Sequence, residues 1–149
     1  MSKLDAVKEV RLQERHYIGM AITMAFAAYD PKRMEGLQKL FISRRFEIKG
    51  MLDAGRYVCL TFVCEQLFTY LFCMEVTGLD AVPNDMIGFS IPEQRYATIR
   101  AKASDPYDLI HAYIKANGLQ LNKHGMSLEV YVMHPQQQPD ECDVFVPLL

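Results

Sequence analysis

The stretch Ser127-Leu128-Glu129-Val130-Tyr131-Val132-Met133-His134-Pro135 carries the residues best suited to chemistry. β-Branched and aromatic residues alternate there with period two, the pattern of a strand. Leu128, Val130 and Val132 fall on one face; Ser127, Glu129, Tyr131 and Met133 fall on the other. The first face suits a core. The second sets a carboxylate and a phenol side by side in an apolar strand. An unpaired charge inside a protein costs several kcal/mol. Either this face is wet, or it lines a cleft in which Glu129 is the polar anchor.

In a cleft, two chemistries are open to Glu129. A carboxylate among aromatic walls attracts a flat cation, and each ring face adds cation–π attraction of about 0.5–2 kcal/mol. The same carboxylate can serve as general base to a water, with a tyrosine hydroxyl donating to the oxygen on which charge develops. Glu129 is then the base and Tyr131 or Tyr70 the donor. Neither route calls for a metal, a cofactor or a covalent nucleophile, and the residue types do not separate the two. Candidate walls are Phe62, Tyr70, Phe72, Tyr96, Tyr107, Tyr131 and Phe145; the sequence leaves open which of them face the cleft.

Other catalytic patterns are weak. His16, His111, His124 and His134 are scattered without ligand spacing and read as surface or loop residues. Cys59, Cys64, Cys73 and Cys142 form no CxxC, and three lie in apolar runs, so reduced thiols in a cytoplasmic protein are expected. No glycine-rich phosphate loop occurs. A net charge of −2 gives no case for nucleic-acid binding. No apolar run approaches a membrane span, and the N-terminus has no signal-peptide core. Half of the 149 residues are apolar, enough for one packed domain spanning residues 1–149.

The elements that position Glu129 follow from periodicity. A long strand is expected over Val10–Ala28, with His16, Ile18, Met20, Ile22, Met24 and Phe26 on one face and mostly small residues on the other. Asp30-Pro31 opens a helix with Met34, Leu37, Leu40 and Phe41 as its buried stripe. Its basic residues, Lys32, Arg33, Lys39, Arg44 and Arg45, form a solvated face or a handle for an anionic partner. Tyr57–Val63 and Phe68–Val76 form a hairpin, Gly78–Asp85 is a linker, and Arg95–Ala103 is a strand. Asp105-Pro106 opens a second helix striped by Leu109, Ile110, Tyr113 and Ile114 and ended by Gly118. Ser127–Met133 and Asp143–Leu148 are strands, joined by a polar loop at Pro135–Asp140. The order strand, helix, strand, strand thus occurs twice, over about 10–77 and 91–149, with Asp-Pro starts 75 positions apart. Such halves joined edge to edge give an α+β fold. It has one curved antiparallel sheet, two main helices on one face over Leu128, Val130 and Val132, and a ligand groove on the other.

In this order the chain resembles the GyrI-like small-molecule-binding domain, the effector-binding domain of bacterial AraC-type and MerR-type multidrug regulators. The resemblance covers roughly Val10 to Leu149. It rests on Ile91-Pro92-Glu93-Gln94-Arg95-Tyr96-Ala97, Leu128-Glu129-Val130-Tyr131, Val144-Phe145-Val146-Pro147-Leu148 and the strand Tyr70–Val76. It implies a central groove for bulky, often cationic, aromatic molecules, with Glu129 and Tyr131 matching the family's acidic and aromatic positions. With no room for a DNA-binding segment before residue 10, a stand-alone member is expected. Stand-alone members are associated with drug sequestration, with gyrase inhibition, and in one branch with hydrolysis of cyclopropane-bearing alkylating natural products. The alternative to a small-molecule site is therefore an interaction protein acting on a topoisomerase or regulator through its surface. Two departures bear on pocket shape: Ala103-Ser104 stands where the family often has a glycine, and the chain has no tryptophan.

Overall fold

The computed structural model describes residues 6–101, 105–133 and 142–149. Alternating sequences make eight strands: β1 (Lys8–Leu12), β2 (Arg15–Ala25), β3 (Arg56–Cys64), β4 (Leu67–Val76), β5 (Ile87–Ile91), β6 (Gln94–Ala101), β7 (Ser127–Val132) and β8 (Cys142–Leu148). Two helices interrupt them, α1 (Pro31–Arg44) and α2 (Pro106–Ala116). Both start as Asp-Pro predicts: Asp30 accepts from the Lys32 amide and Asp105 from the Tyr107 amide, with proline in the first turn of each helix. Gly118 follows the end of α2 at φ 64°, a left-handed position that favours glycine. No helix among the described residues is long and apolar enough to cross a membrane.

All eight strands join one antiparallel sheet in the order β1-β6-β8-β7-β3-β4-β2-β5. The repeated unit is one strand longer than the sequence suggests: two strands, a helix, two strands. The expected Val10–Ala28 strand is two strands, broken at the polar pair Gln13-Glu14, and β1 crosses to the opposite end of the sheet to pair with β6. The short edge strand β5 is an addition, its alternation hidden by Gly88 and Pro92. Exchanging each element for its counterpart reverses the sheet order onto itself. The pseudo-twofold axis therefore falls between β3 and β7, which pair with Cys59 opposite Glu129. Glycine at position 19 is set by this packing, because a Cβ there would collide with the Phe72 carbonyl and Cys73. The loop expected at 135–140, together with His134 and Ala103-Ser104, lies outside the described residues.

Register fixes the faces. One row runs Met20, Phe72, Cys59, Glu129, Val144, Ile99 across the sheet. Both helices rest on this face. Phe41 of α1 packs with Ile18, Met20, Cys59, Phe72 and Met74, while Ile110 and Ile114 of α2 pack with Ala97, Ile99, Val144 and Val146. Leu40 departs from the expected stripe and is exposed. The helices thus lie on the opposite face from the one expected, over Glu129 rather than over Leu128, Val130 and Val132. Leu128 belongs instead to a cluster with Tyr17, Val58, Leu60, Leu71, Cys73 and Tyr96, against which Val130 packs and to which no helix contributes. The sheet curls so that both of its edges cover part of that side: Val10 and Leu12 of β1 and Phe89 and Ile91 of β5 pack against this cluster. Arg15 ties the curl by donating to the hydroxyls of Tyr17 (2.8 Å) and Tyr96 (2.9 Å). The helices occupy the face that carries Glu129.

Candidate functional site

Glu129 sits near the middle of the β3–β7 pairing, between the two helices. Its carboxylate is held by three phenols from three elements. Tyr131, two residues along β7, and Tyr70 of β4 donate to Oε1 at 2.9 and 3.1 Å; Tyr107, in the first turn of α2, donates to Oε2 at 2.5 Å. The Asp105 cap fixes the turn that delivers Tyr107. Charge-assisted bonds of this kind are the strong ones, and together they let a half-buried carboxylate remain without a basic partner. No ion pair involves Glu129 among the described residues.

Rings surround this knot. Tyr57 stacks on Tyr131 with centroids 5.2 Å apart and planes 15° apart, and its hydroxyl accepts from Gln38 of α1. Phe72 meets Tyr70 edge-on at 5.0 Å. A cavity of about 360 Å³ lies on the α1 side, lined by Met34, Glu35, Tyr57, Tyr70, Phe72 and Tyr131. A second of about 620 Å³ lies on the α2 side, lined by Glu129 itself with Phe62, Tyr107, Asn122, Lys123 and Ser127. The Glu129–tyrosine knot is the partition between the two cavities.

Burial first, and then the Glu129 charge, pushes the hydroxyls of Tyr107 and Tyr131 far above the usual phenol range. Tyr70 moves the same way, through burial, the neighbouring Cys59 and Glu129. All three are therefore donors, not phenolates, at neutral pH. Cys142 beside them is pushed up to about 11, again by burial and then by Glu129, and burial raises Cys59 as well. Neither thiol has thiolate character to act as nucleophile. No cluster of metal-ligating side chains occurs among the described residues.

The sequence-predicted residues divide by face. Glu129, Tyr70, Tyr107 and Tyr131 come together and Phe72 flanks Tyr70; Phe62 alternates onto the opposite face and packs against the Leu128 cluster, while also bordering the larger cavity. Tyr96 and Phe145 pack edge-on against each other at 6.0 Å on the far side of the sheet, where Phe145 lines a separate cavity of about 320 Å³. Tyr57, Met34, Gln38 and Lys123 complete the surroundings and were not anticipated. Tyr57 could have been found by carrying the Glu129 face across to β3, since it pairs directly with Tyr131.

The model of a family described as integron-associated effector-binding protein, Cass2, matches residues 10–148. A search of curated proteins found no match. Among solved structures, SAV2435 bound to tetraphenylphosphonium superposes with a TM-score of 0.73 at 12% identity, covering 96% of this chain and 93% of that one. The C-terminal domain of EcmrR gives 0.68 at 13% identity, covering 96% of each chain. The integron cassette protein VCH_CASS2, from the mobile metagenome of Vibrio cholerae, gives 0.59 at 10% identity, covering 97% of each chain.

Proposed function

The chain belongs to the Cass2 family of integron-associated effector-binding proteins, with a GyrI-like fold, and from that premise we propose that it binds hydrophobic aromatic cations at the Glu129 cluster. One observation carries the reading: the carboxylate is already satisfied by three hydroxyls. It offers a ligand chiefly negative charge, with most of its acceptor positions already taken. That suits a delocalised or quaternary cation, which has charge and ring faces but no N–H to donate. Tyr57, Tyr70, Phe72 and Tyr131 on one side and Phe62 and Tyr107 on the other supply stacking and cation–π surface. The tetraphenylphosphonium seen in SAV2435 is a cation of this class. The protein would act as a cytoplasmic sequestering or sensing domain.

The test compares tetraphenylphosphonium with tetraphenylborate, which has the same shape and the opposite charge. Calorimetric titration should show the cation bound and the anion not. Equal binding would place shape, not charge, in control and overturn the reading.

Hydrolysis of a strained-ring ligand is a second reading, favoured by one detail. Of about four acceptor positions on a carboxylate, three are taken by tyrosines, leaving one on Oε2 for a water. Glu129 would accept the water's proton as the water oxygen bonds a ring carbon; the strained C–C bond breaks, its electron pair passes to the ligand's conjugated oxygen, and a displaced Tyr70 or Tyr131 would donate to that oxyanion. Mass spectrometry of a cyclopropane-bearing alkylator incubated with the protein separates the two: a gain of one water, absent with E129Q, supports turnover, and unchanged ligand supports binding alone.

A further inference from the structure

The two cavities flanking Glu129 differ in chemistry, and the geometry points to an amphoteric ligand: an aromatic cation that also carries a carboxylate, laid across Glu129 with its anionic group at Lys123. This rests on the reading of Glu129 as the cation anchor. The α1-side cavity is walled by ring faces, and its charged lining residue is acidic: Glu35, paired with Lys39 at 2.9 Å. The α2-side cavity is larger, about 620 against 360 Å³, and its lining cation is Lys123, beside Asn122 and Ser127.

Lys123 is carried on a built turn. The Asn122 amide donates to the Pro147 carbonyl at 2.9 Å, the Gly125 amide to the Asn122 carbonyl at 3.1 Å, and the Asn122 side chain bridges Gln94 and the His124 amide. The backbone that carries Lys123 is thereby held, and its exposed side chain borders this cavity as well as a smaller one at Gln120, His124 and Leu149. No carboxylate lies within ion-pair distance of Lys123 among the described residues. One cavity therefore exposes both a negative and a positive side chain that do not neutralise each other. A ligand that is only a cation meets Lys123 as a repulsion. One that also bears an acid satisfies both ends, and the extra volume of this cavity gives that second end its room.

A matched pair of dyes tests this. Rhodamine B is a zwitterion at pH 7.5, and its ethyl ester is the corresponding cation. Fluorescence anisotropy of the full chain should show the zwitterion bound roughly two- to fivefold tighter, the size of an exposed ion pair. K123A should abolish that preference while leaving the ester bound as well or better. E129Q should weaken both. Equal affinities in the unaltered protein, or a preference that survives K123A, would overturn the amphoteric ligand while leaving the cation anchor standing. If neither dye binds, or E129Q leaves both intact, the anchor itself falls and this inference with it.

Discussion

Replacing Glu129 by glutamine is the substitution with the clearest consequence, because it removes charge and almost nothing else. The amide oxygen can still accept from Tyr70 and Tyr131, and the amide nitrogen can donate to the Tyr107 oxygen, so the ring geometry has a way to persist. A quaternary phosphonium shielded by its phenyl groups keeps its charge about 6 Å from the carboxylate. At an effective dielectric near 20 that separation corresponds to about 3 kcal/mol, or roughly 100-fold in affinity. Glu129 is only half-buried and the neighbouring cavities admit water, so screening lowers the expectation to roughly 10- to 100-fold. Calorimetric titration of tetraphenylphosphonium into the native protein and E129Q measures it, with circular dichroism to confirm that the fold is kept. A folded E129Q that binds within about threefold of the native protein would refute the charge argument, since ring stacking would then supply nearly all the affinity.

Other substitutions test the scaffold. Tyr107→Phe leaves Oε2 without its hydroxyl donor and should cost about 1.5–3 kcal/mol of stability by urea denaturation. Gly19→Ala drives a Cβ into the backbone of β4 and should cost more than about 3 kcal/mol, read as a fall in Tm or loss of soluble protein. Glu65, at φ 56° in the β3–β4 turn, should stabilise the hairpin by about 0.5–1 kcal/mol when replaced by glycine. Of the four cysteines only Cys64 is exposed; iodoacetamide at neutral pH should label that thiol and leave Cys59, Cys73 and Cys142 untouched until the protein unfolds, as peptide mass spectrometry would show.

Much of this was legible because the signals were local. The Asp-Pro dipeptides announce both helices, and alternation from Ser127 to Met133 puts Glu129 and Tyr131 on one face without reference to the rest of the chain. What stayed hidden was non-local. Nothing near Leu128 says that its face is packed by the sheet's own edges rather than by a helix. That depends on Val10 and Leu12 at one edge and Phe89 and Ile91 at the other packing against the same cluster. The same blindness put Tyr96 and Phe145 among the walls, for parity along a strand is readable but the face it denotes is not until strands are paired. Tyr57 was missed for the converse reason: its importance lies wholly in being opposite Tyr131.

The strand order also bears on how the chain can be divided. The leading strand of each repeat lies not beside its own repeat but against the second strand of the other, β1 on β6 and β5 on β2. A fragment ending in the Gly78–Asp85 linker would carry β1 with nothing to pair to and would leave β2 with a bare edge. Its complement would be short in the same two places. The two pieces are thus mutual templates, each holding the strand the other lacks. Expressed separately they should aggregate or form like-with-like pairs through the exchanged strands; expressed together they should reassemble as a split protein, with the Glu129–Cys59 seam at the junction as its reporter.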